Sequence, residues 1–167
     1  MEDNLQIQID KYAKYVVQQS RSNLTKGKHN SSKDLWNSIR SKVSKTNEGF
    51  SIEFFSKSYG AFIDQGVKGK ESTYPNTGKS PFKYSSKMPP PKSFLSWIKK
   101  KGIKGRDKKS GRFITNKSLS FLIARGIFNK GIRRTLFFTK PFEKGIKKYE
   151  LDMLTAFVKD STKQIID

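Results

Sequence analysis

The chain has few of the residues on which most catalytic and metal sites depend. None of its 167 residues is cysteine, which excludes disulfides and thiolate metal sites. The one histidine, His29, lies in a polar stretch with no cysteine or carboxylate beside it, so we expect it to be solvated. The 14 acidic residues are scattered, and no His-Glu-x-x-His, Gly-x-Ser-x-Gly or metal-ligand motif is present. We therefore predict that the protein is not an enzyme and has no cofactor and no metal site.

Long apolar runs are missing as well. No stretch of about 18 consecutive apolar residues occurs, and the first residues, MEDNLQIQ, are polar and acidic. These absences predict a soluble protein that is assembled in the cytoplasm, without a membrane span or a signal peptide. The length of 167 residues suits one domain with its own core, so we predict a single domain over residues 1–167.

Negative charge is scarce relative to positive charge. Lys and Arg number 35 against 14 Asp and Glu, which gives a net charge of +21. A charge of this size favours an anionic partner. Only seven of the 35 cations are arginine, however, and a lysine excess beside many Asn, Ile and Ser also arises when an AT-rich genome fills solvated positions. Composition alone leaves both interpretations open.

The clearest local pattern lies between residues 35 and 66. Apolar and polar residues alternate through 39–44, Asn47-Glu48-Gly49 supplies turn residues, and the alternation resumes through 50–55. This pattern predicts a β-hairpin. The segment 59–66 then has apolar residues on one side of a helical turn and a glycine suited to the position just after the helix end, which predicts a short helix.

Apolar residues at helical spacing predict further helices on both sides of this segment. The first helix is expected from about residue 4 to residue 20, and the polar residues 21–33 are expected to form a loop. A middle helix begins at Pro90-Pro91 and ends at Gly102. Another begins at a Thr115 or Ser118 cap, and its Gly126 marks either a close helix contact or a merely tolerated glycine.

The last part of the chain is predicted to add a strand and a long helix. Residues 135–139 suit a strand that pairs with the hairpin, and Pro141 then opens the helix. Its aromatic-rich face is formed by Phe142, Ile146, Tyr149, Met153 and Phe157. From Tyr149 onward four acids stand against two lysines, which suits charge complementarity between subunits or is chance. The predicted fold class is α+β, with a small antiparallel sheet (central β-hairpin plus later strand) packed by N-terminal, middle and long C-terminal helices.

Two loops interrupt this predicted arrangement. Residues 67–91 are rich in glycine and proline and form a loop long enough to reach a neighbouring subunit. Within it, residues 73–80 read TYPNTGKS and match the end of a phosphate-binding loop. Thr73 stands where the first glycine of that motif belongs, and Pro81 disfavours the helical conformation at Ser80. We therefore predict that the segment does not bind a nucleotide.

The second loop, residues 99–114, is the most cationic part of the chain and is predicted to be a flexible loop or hairpin. Residues 99–112 read KKKGIKGRDKKSGR, with one acid, Asp107. The eight cations are Lys99, Lys100, Lys101, Lys104, Arg106, Lys108, Lys109 and Arg112. They are candidates for contact with DNA phosphates or with an acidic partner, and a solvated charged surface is the alternative. No aromatic platform motif or recognition helix accompanies them.

The order of these elements resembles a family of small phage virion proteins known as minor tail, tail-completion or head-tail joining proteins. In that family a Leu-x-x-Ser-Ile segment, a hairpin and a Tyr-Ala-x-x-(Ile/Val)-(Glu/Asp)-x-Gly helix follow one another, and a Pro-Phe motif precedes the last helix. The matching residues here, called the motif residues below, are Leu35, Ser38, Ile39, Tyr59, Ile63, Asp64, Gly66, Pro141 and Phe142.

The resemblance implies a structural virion protein of a tailed bacteriophage, located in the neck or tail. It implies a homo-oligomeric ring of six or twelve subunits that joins the head portal to the tail. The implied partners are portal, adaptor or tail proteins and the genomic DNA that passes through the lumen without sequence readout, with no membrane contact. Terminator, adaptor and connector positions stay open, because they can share one fold. The alternative function, which rests on charge alone, is a nonspecific nucleic-acid-binding protein that acts through its basic loop.

Overall fold

The computed structural model describes residues 4–27, 32–47, 49–71 and 74–166. Three residues that entered the predictions, His29, Glu48 and Thr73, lie outside the described residues. Among the described residues the fold is mixed α+β, as predicted, with six α-helices and two separate two-stranded antiparallel sheets. None of the helices in this described part is long and apolar enough to cross a membrane.

Helices and short strands follow one another along the chain. They are α1 (Asn4–Lys26), α2 (Asp34–Ser38), β1 (Arg40–Thr46), β2 (Gly49–Phe55), α3 (Gly60–Gln65), β3 (Val67–Lys68), α4 (Leu95–Lys101), α5 (Asn116–Lys130), β4 (Gly131–Ile132) and α6 (Thr139–Ile166). Short 3-10 turns occupy Pro75–Thr77 and Pro91–Phe94.

The backbone forms two compact units. The terminal unit contains Met1–Gly60 and Leu136–Asp167, and the central unit contains Ala61–Thr135. The expectation that residues 1–167 behave as a single domain stays a prediction.

Helices α1 and α6 pack together in the terminal unit and supply most of its core. The buried apolar residues of α1 are Ile9, Tyr12, Ala13, Val16 and Leu24. On α6, a Cβ built at Gly145 would lie 2.7 Å from Cε2 of Tyr12, so this glycine lets the tyrosine ring lie close to the helix backbone. The ring of Tyr12 also meets Phe54 and Phe142 edge-on, at centroid distances of 6.3 and 6.2 Å.

The predicted hairpin is confirmed. Strand β1 pairs with β2 in an antiparallel register that sets Val43 opposite Ile52 and Thr46 opposite Gly49, so two residues form the connection. Gly49 has a φ of +136°, a conformation that favours glycine.

The first helix is longer than predicted, because α1 continues to Lys26 through residues assigned to a loop. Leu24 is fully buried, and Asn23 Nδ2 donates a hydrogen bond to the carbonyl oxygen of Phe137. Full burial of a leucine is worth about 1.5–3 kcal/mol. Packing against residues that are distant in sequence therefore outweighs the local polar composition.

The predicted strand at 135–139 is wrong. Leu136 has a φ of +53°, which interrupts an extended backbone, and the chain turns at Phe137 and enters α6 at Thr139. Pro141 lies in the first turn of α6, where its missing N–H removes no intrahelical bond. The later strand of the fold is instead β4, and its partner is β3 rather than the hairpin.

The predicted buried face of α6 differs from the structure. Ile146 and Phe157 are 44 % and 55 % exposed, although they were expected on that face. The difference arises because helical spacing shows which residues share a face but not which partner covers that face. On α5, nothing lies within 4 Å of a Cβ built at Gly126, which decides between the two predicted alternatives in favour of a tolerated glycine.

Glycine allows the closest backbone approaches in the central unit. A Cβ built at Gly66 would lie 2.6 Å from the carbonyl oxygen of Ile132, and one at Gly131 would collide with the carbonyl oxygen of Val67. The φ angles of these two glycines are +74° and +81°. Gly66 therefore ends α3, as predicted, and Gly131 permits the pairing of β3 with β4.

Candidate nucleic-acid interface

The eight cations that were predicted to contact DNA or an acidic partner lie on two consecutive segments of the central unit. Lys99, Lys100 and Lys101 form the last turn of α4, so their assignment to a loop is wrong. Cations suit this position because the C-terminal end of a helix carries partial negative charge. Gly102, with a φ of +61°, ends the helix as predicted. The other five cations lie on residues 102–115, called the basic hairpin below.

Backbone hydrogen bonds fold the basic hairpin back on itself. Asp107 N donates to the carbonyl oxygen of Arg112 at 2.9 Å, and Gly111 N donates to that of Asp107 at 2.9 Å. Nearer the base, Ile114 N donates to the carbonyl oxygen of Gly105 at 3.0 Å. These bonds confirm the hairpin alternative of the sequence prediction, whereas the predicted flexibility stays a prediction.

The single acid of the hairpin fixes its turn. Asp107 Oδ1 accepts hydrogen bonds from Ser110 N at 2.8 Å, Ser110 Oγ at 2.9 Å and Lys109 N at 3.1 Å. The Ser110 backbone N–H, followed by the Ser110 hydroxyl, lowers the pKa of the Asp107 carboxyl below its ordinary value. The carboxylate therefore acts mainly as a local turn cap.

The base of the basic hairpin packs against α5. A Cβ built at Gly105 would lie 2.9 Å from Cδ1 of both Ile114 and Leu119, so only glycine fits there without displacing these side chains. Directly after the hairpin, Thr115 Oγ1 accepts a hydrogen bond from Ser118 N at 3.1 Å and caps α5, as predicted. The cations are thus presented from a base that is tied to a helix.

Phe113 is the residue of this surface that sequence reasoning missed. It is opposite Arg106 in an isolated antiparallel bridge, and the guanidinium carbon of Arg106 lies 4.3 Å from the Phe113 ring centroid. Lys104 Nζ lies 5.8 Å from the same centroid. The phenylalanine is nevertheless 59 % exposed. The sequence signal that could have identified Phe113 is its position opposite Arg106, on the other side of the turn that Asp107 caps. Residues that are opposite each other in an antiparallel bridge have their side chains on the same face.

Positive charge is concentrated in the central unit. Residues 61–135 contain 19 Lys and Arg against 3 Asp and Glu, a net charge of +16. The terminal unit contains 16 against 11, a net charge of +5. A lysine bias of the genome alone would not deplete one unit of acids in this way. The distribution therefore favours an anionic contact over indiscriminate filling of solvated positions.

Four motif residues of the terminal unit have structural roles. Leu35, Ile39 and Pro141 are buried. Ser38 Oγ donates to the carbonyl oxygen of Leu35 at 2.8 Å and accepts from Lys57 N at 3.0 Å, which ties α2 to the segment that follows β2. Two further motif residues there, Tyr59 and Phe142, are 39 % exposed and half-buried, respectively.

The remaining motif residues stabilise the central unit. The carbonyl oxygen of Ile63 accepts from Thr135 Oγ1 at 2.9 Å, and that of Asp64 accepts from Thr135 N at 3.2 Å. The Asp64 side chain is buried and accepts from Gln65 Nε2 at 2.7 Å. Together with Gly66, these residues hold the end of α3 beside the segment that follows β4.

In the segment that resembles a phosphate-binding loop, the hydroxyl groups form hydrogen bonds within the fold. Ser80 Oγ donates to the carbonyl oxygen of Gly66 at 2.7 Å and accepts from Phe82 N at 3.1 Å. Thr77 is also buried, and its Oγ1 accepts from Arg134 N at 3.3 Å. These bonds secure residues 77–82 to Gly66 and to the segment after β4. The hydroxyl group of Ser80, which would bind the metal ion in such a loop, is thus engaged in hydrogen bonds within the fold. The prediction that all of residues 67–91 form a loop is wrong at Val67–Lys68, which form β3.

Two surface hollows of the terminal unit have volumes of about 480 Å³ each. One is lined by Asp34, Asn37, Ser38, Lys57 and Tyr59, and the other by Gln18, Arg21, Ser22, Thr25, Lys26 and Trp36. Neither contains a nucleophile paired with a histidine base, which acyl transfer would need. Within the described part of the chain, no three His, Cys, Asp or Glu side chains cluster so that they could hold a metal ion.

No protein-family model, no curated protein and no solved structure matches this chain. Its function is therefore inferred from its own residues and from the order of the motif residues. Among the surfaces described, the basic hairpin has the most distinctive chemistry, since it combines dense positive charge with an exposed aromatic ring.

Proposed function

We propose that this chain is a structural virion protein of a tailed bacteriophage. It is a subunit of a homo-oligomeric neck ring that joins the head portal to the tail and forms part of the DNA channel. The observation that carries the proposal is the order of the motif residues along the chain. Their packing supports it, because Leu35, Gly66 and Pro141 are all buried and hold elements of the fold together.

The concentration of cations in the central unit supports the contact with DNA. In a channel, diffuse lysines attract the phosphate backbone without reading base sequence or holding the duplex in one register. The basic hairpin supplies Lys104, Lys108 and Lys109 for this purpose, all of them exposed. We place this surface of the central unit against the passing DNA.

An exposed apolar stripe on α6 supports self-association. Phe142, Tyr149 and Met153 lie on the helix face that is partly covered, whereas Leu151, Leu154 and Val158 lie on the opposite face. These three are 74 %, 56 % and 57 % exposed. Apolar residues grouped at helical spacing on a surface are typical of a protein contact.

We assign this stripe to a second copy of the chain on the basis of charge. Leu151 is flanked by Glu150 and Asp152, which place two acids beside the stripe, and Lys147 and Lys159 lie at its two ends. The central unit, with its net charge of +16, offers the complementary surface on a neighbouring copy. A contact between two different surfaces of identical subunits is heterologous, and such contacts form a closed ring when the rotation between neighbours closes and an open filament when it does not.

Mass measurement by light scattering, with electron microscopy of any large species, tests the ring. We expect a closed ring of six or twelve copies, and replacement of Leu151, Leu154 and Val158 by serine should reduce it to smaller species. Replacement of Ile7, an exposed apolar residue of α1, serves as the control and should leave the ring intact. A protein that stays monomeric alone and with purified portal or tail proteins would contradict the proposal.

A second candidate function is a nonspecific nucleic-acid-binding protein that acts as a monomer or dimer. The pairing of Arg106 with the exposed Phe113 on the basic hairpin favours it. This candidate requires salt-sensitive DNA binding by a protein that forms no ring. A ring that binds DNA only weakly supports the neck protein instead.

A further inference from the structure

We propose that Phe113 is a stacking platform for an unpaired base, so that the basic hairpin binds single-stranded nucleic acid in preference to duplex. This inference rests on the second candidate function, nucleic-acid binding through the basic hairpin, and specifies the form of nucleic acid that this surface prefers. The exposed aromatic ring on a cationic turn carries it.

The ring is held in a defined position and remains accessible. Arg106 stacks against it at 4.3 Å from the ring centroid, and 59 % of the phenylalanine surface is still exposed. The backbone on which Phe113 lies is fixed by the bond from Ile114 N to Gly105 and by the turn that Asp107 caps. A positioned ring loses little conformational freedom when a flat ligand stacks on it.

The surrounding charges match a nucleic-acid strand. Five cations of the basic hairpin, Lys104, Arg106, Lys108, Lys109 and Arg112, lie within nine positions of Phe113 and are exposed. Proteins that bind single strands without sequence preference combine such backbone-binding cations with aromatic rings on which bases stack. In a duplex the bases are already stacked and paired, so a surface phenylalanine cannot reach their faces without opening the helix.

The terminal unit contains a matched pair that lacks this setting. Arg40 is opposite Phe55 in the β1–β2 register, with its guanidinium carbon 5.2 Å from the ring centroid, and Phe55 is 38 % exposed. The hairpin 40–55 has three cations and two acids, whereas residues 99–112 have eight cations and one acid. The same cross-strand pair thus occurs in two different electrostatic settings, which makes Phe55 the natural control.

The test is a fluorescence-anisotropy titration of the full-length protein with labelled oligothymidine and with a duplex of equal length. The wild type should bind oligothymidine more tightly than the duplex. Phe113→Leu should weaken oligothymidine binding about tenfold, since stacking on one aromatic ring has an effect of this order. It should leave duplex binding and the salt dependence of both unchanged. Phe113→Trp should retain the preference, and Phe55→Leu should alter neither affinity.

Equal weakening of both ligands by Phe113→Leu, or no weakening of either, would overturn the platform. If wild-type binding to DNA is still salt-sensitive in that case, the proposed DNA contact survives and only the platform is lost. If the wild type binds neither ligand at low salt, the DNA contact of the proposed function fails as well. Equal thermal midpoints of the wild type and Phe113→Leu will show that the variant is folded.

Discussion

The terminal and central units differ more in charge than in secondary structure. Both combine helices with a two-stranded antiparallel sheet, yet their net charges are +5 and +16. The terminal unit buries an aromatic cluster around Tyr12 and exposes an apolar stripe on α6. The central unit depends on close glycine contacts and displays a basic hairpin. In the proposed function, the terminal unit therefore supplies the contact between subunits and the central unit supplies the contact with an anionic partner.

The largest effect is expected from the glycines of the central unit. Gly66→Ala should destabilise the protein by about 3 kcal/mol or more, because the new Cβ meets backbone atoms at a positive φ. Gly126→Ala in α5 has open space, and we expect a gain of about 0.5–1 kcal/mol. Urea denaturation measures both, and a Gly66→Ala midpoint equal to that of the wild type would contradict the expected clash.

The same titration tests whether the two units unfold together. The chain has two tryptophans, Trp36 in the terminal unit and Trp97 in the central unit, so single-tryptophan versions report on each unit separately. In a single cooperative domain, Gly66→Ala lowers both midpoints equally. A shift of the Trp97 transition alone would show that the units unfold independently, and the prediction of one domain would then be wrong.

An intermediate effect is expected from lysine replacement in the central unit. Changing Lys99, Lys100, Lys101, Lys108 and Lys109 to glutamine should keep ring formation and reduce the salt dependence of DNA binding. Each lost phosphate contact lowers the log-log slope by about 0.9. The matched control replaces five exposed lysines of the terminal unit, namely Lys11, Lys14, Lys26, Lys42 and Lys57. Equal slope losses in the two sets would remove the functional distinction between the units.

The smallest effect is expected when the pH is lowered, which protonates one hydrogen-bonded carboxylate in each unit. In the terminal unit, Asp160 accepts hydrogen bonds from Leu5 N and Asn4 Nδ2, and the bond from Leu5 N, followed by that from Asn4, lowers the pKa of the carboxyl. In the central unit, Ser110 lowers the pKa of the Asp107 carboxyl in the same way. A lowered pKa means that the stabilisation is complete above the ordinary value of 3.8 and is lost as the pH falls through the lowered one. Hydrogen exchange at Ser110 N and Leu5 N should therefore accelerate, relative to intrinsic rates, as the pH is lowered below the ordinary carboxyl range. An Asp107→Asn variant that keeps the wild-type pH profile at Ser110 would contradict this assignment.

Local patterns predicted the elements whose determinants lie close together in sequence. Alternation with turn residues located the β1–β2 hairpin, and Gly66, Gly102 and Thr115 marked helix ends correctly. These signals work because the turn, cap and strand preferences involve residues only a few positions apart. The eight cations were also identified from sequence, although three of them proved to be helical.

The errors arose where a distant contact overrides a local preference. Residues 21–26 are mostly polar but helical, with Leu24 fully buried and Asn23 hydrogen-bonded to the distant Phe137. Residues 135–139 are apolar but turn at Leu136, and the strand partner of β3 is β4, more than 60 positions away. Phe113 was overlooked because its pairing with Arg106, seven positions earlier, depends on where the turn capped by Asp107 lies.

The amino-acid sequence alone determined the net charge of +21, the absence of thiol chemistry, the hairpin and the helix boundaries at Gly66, Gly102 and Thr115. Each of these depends on composition or on neighbouring residues. Only the tertiary structure decided that most acids lie in one of two compact units, that Gly66 and Gly131 are required by backbone contact, and that Arg106 covers part of Phe113. Such properties depend on which surfaces the folded chain brings together, and that choice is made by packing over the whole chain rather than by local periodicity.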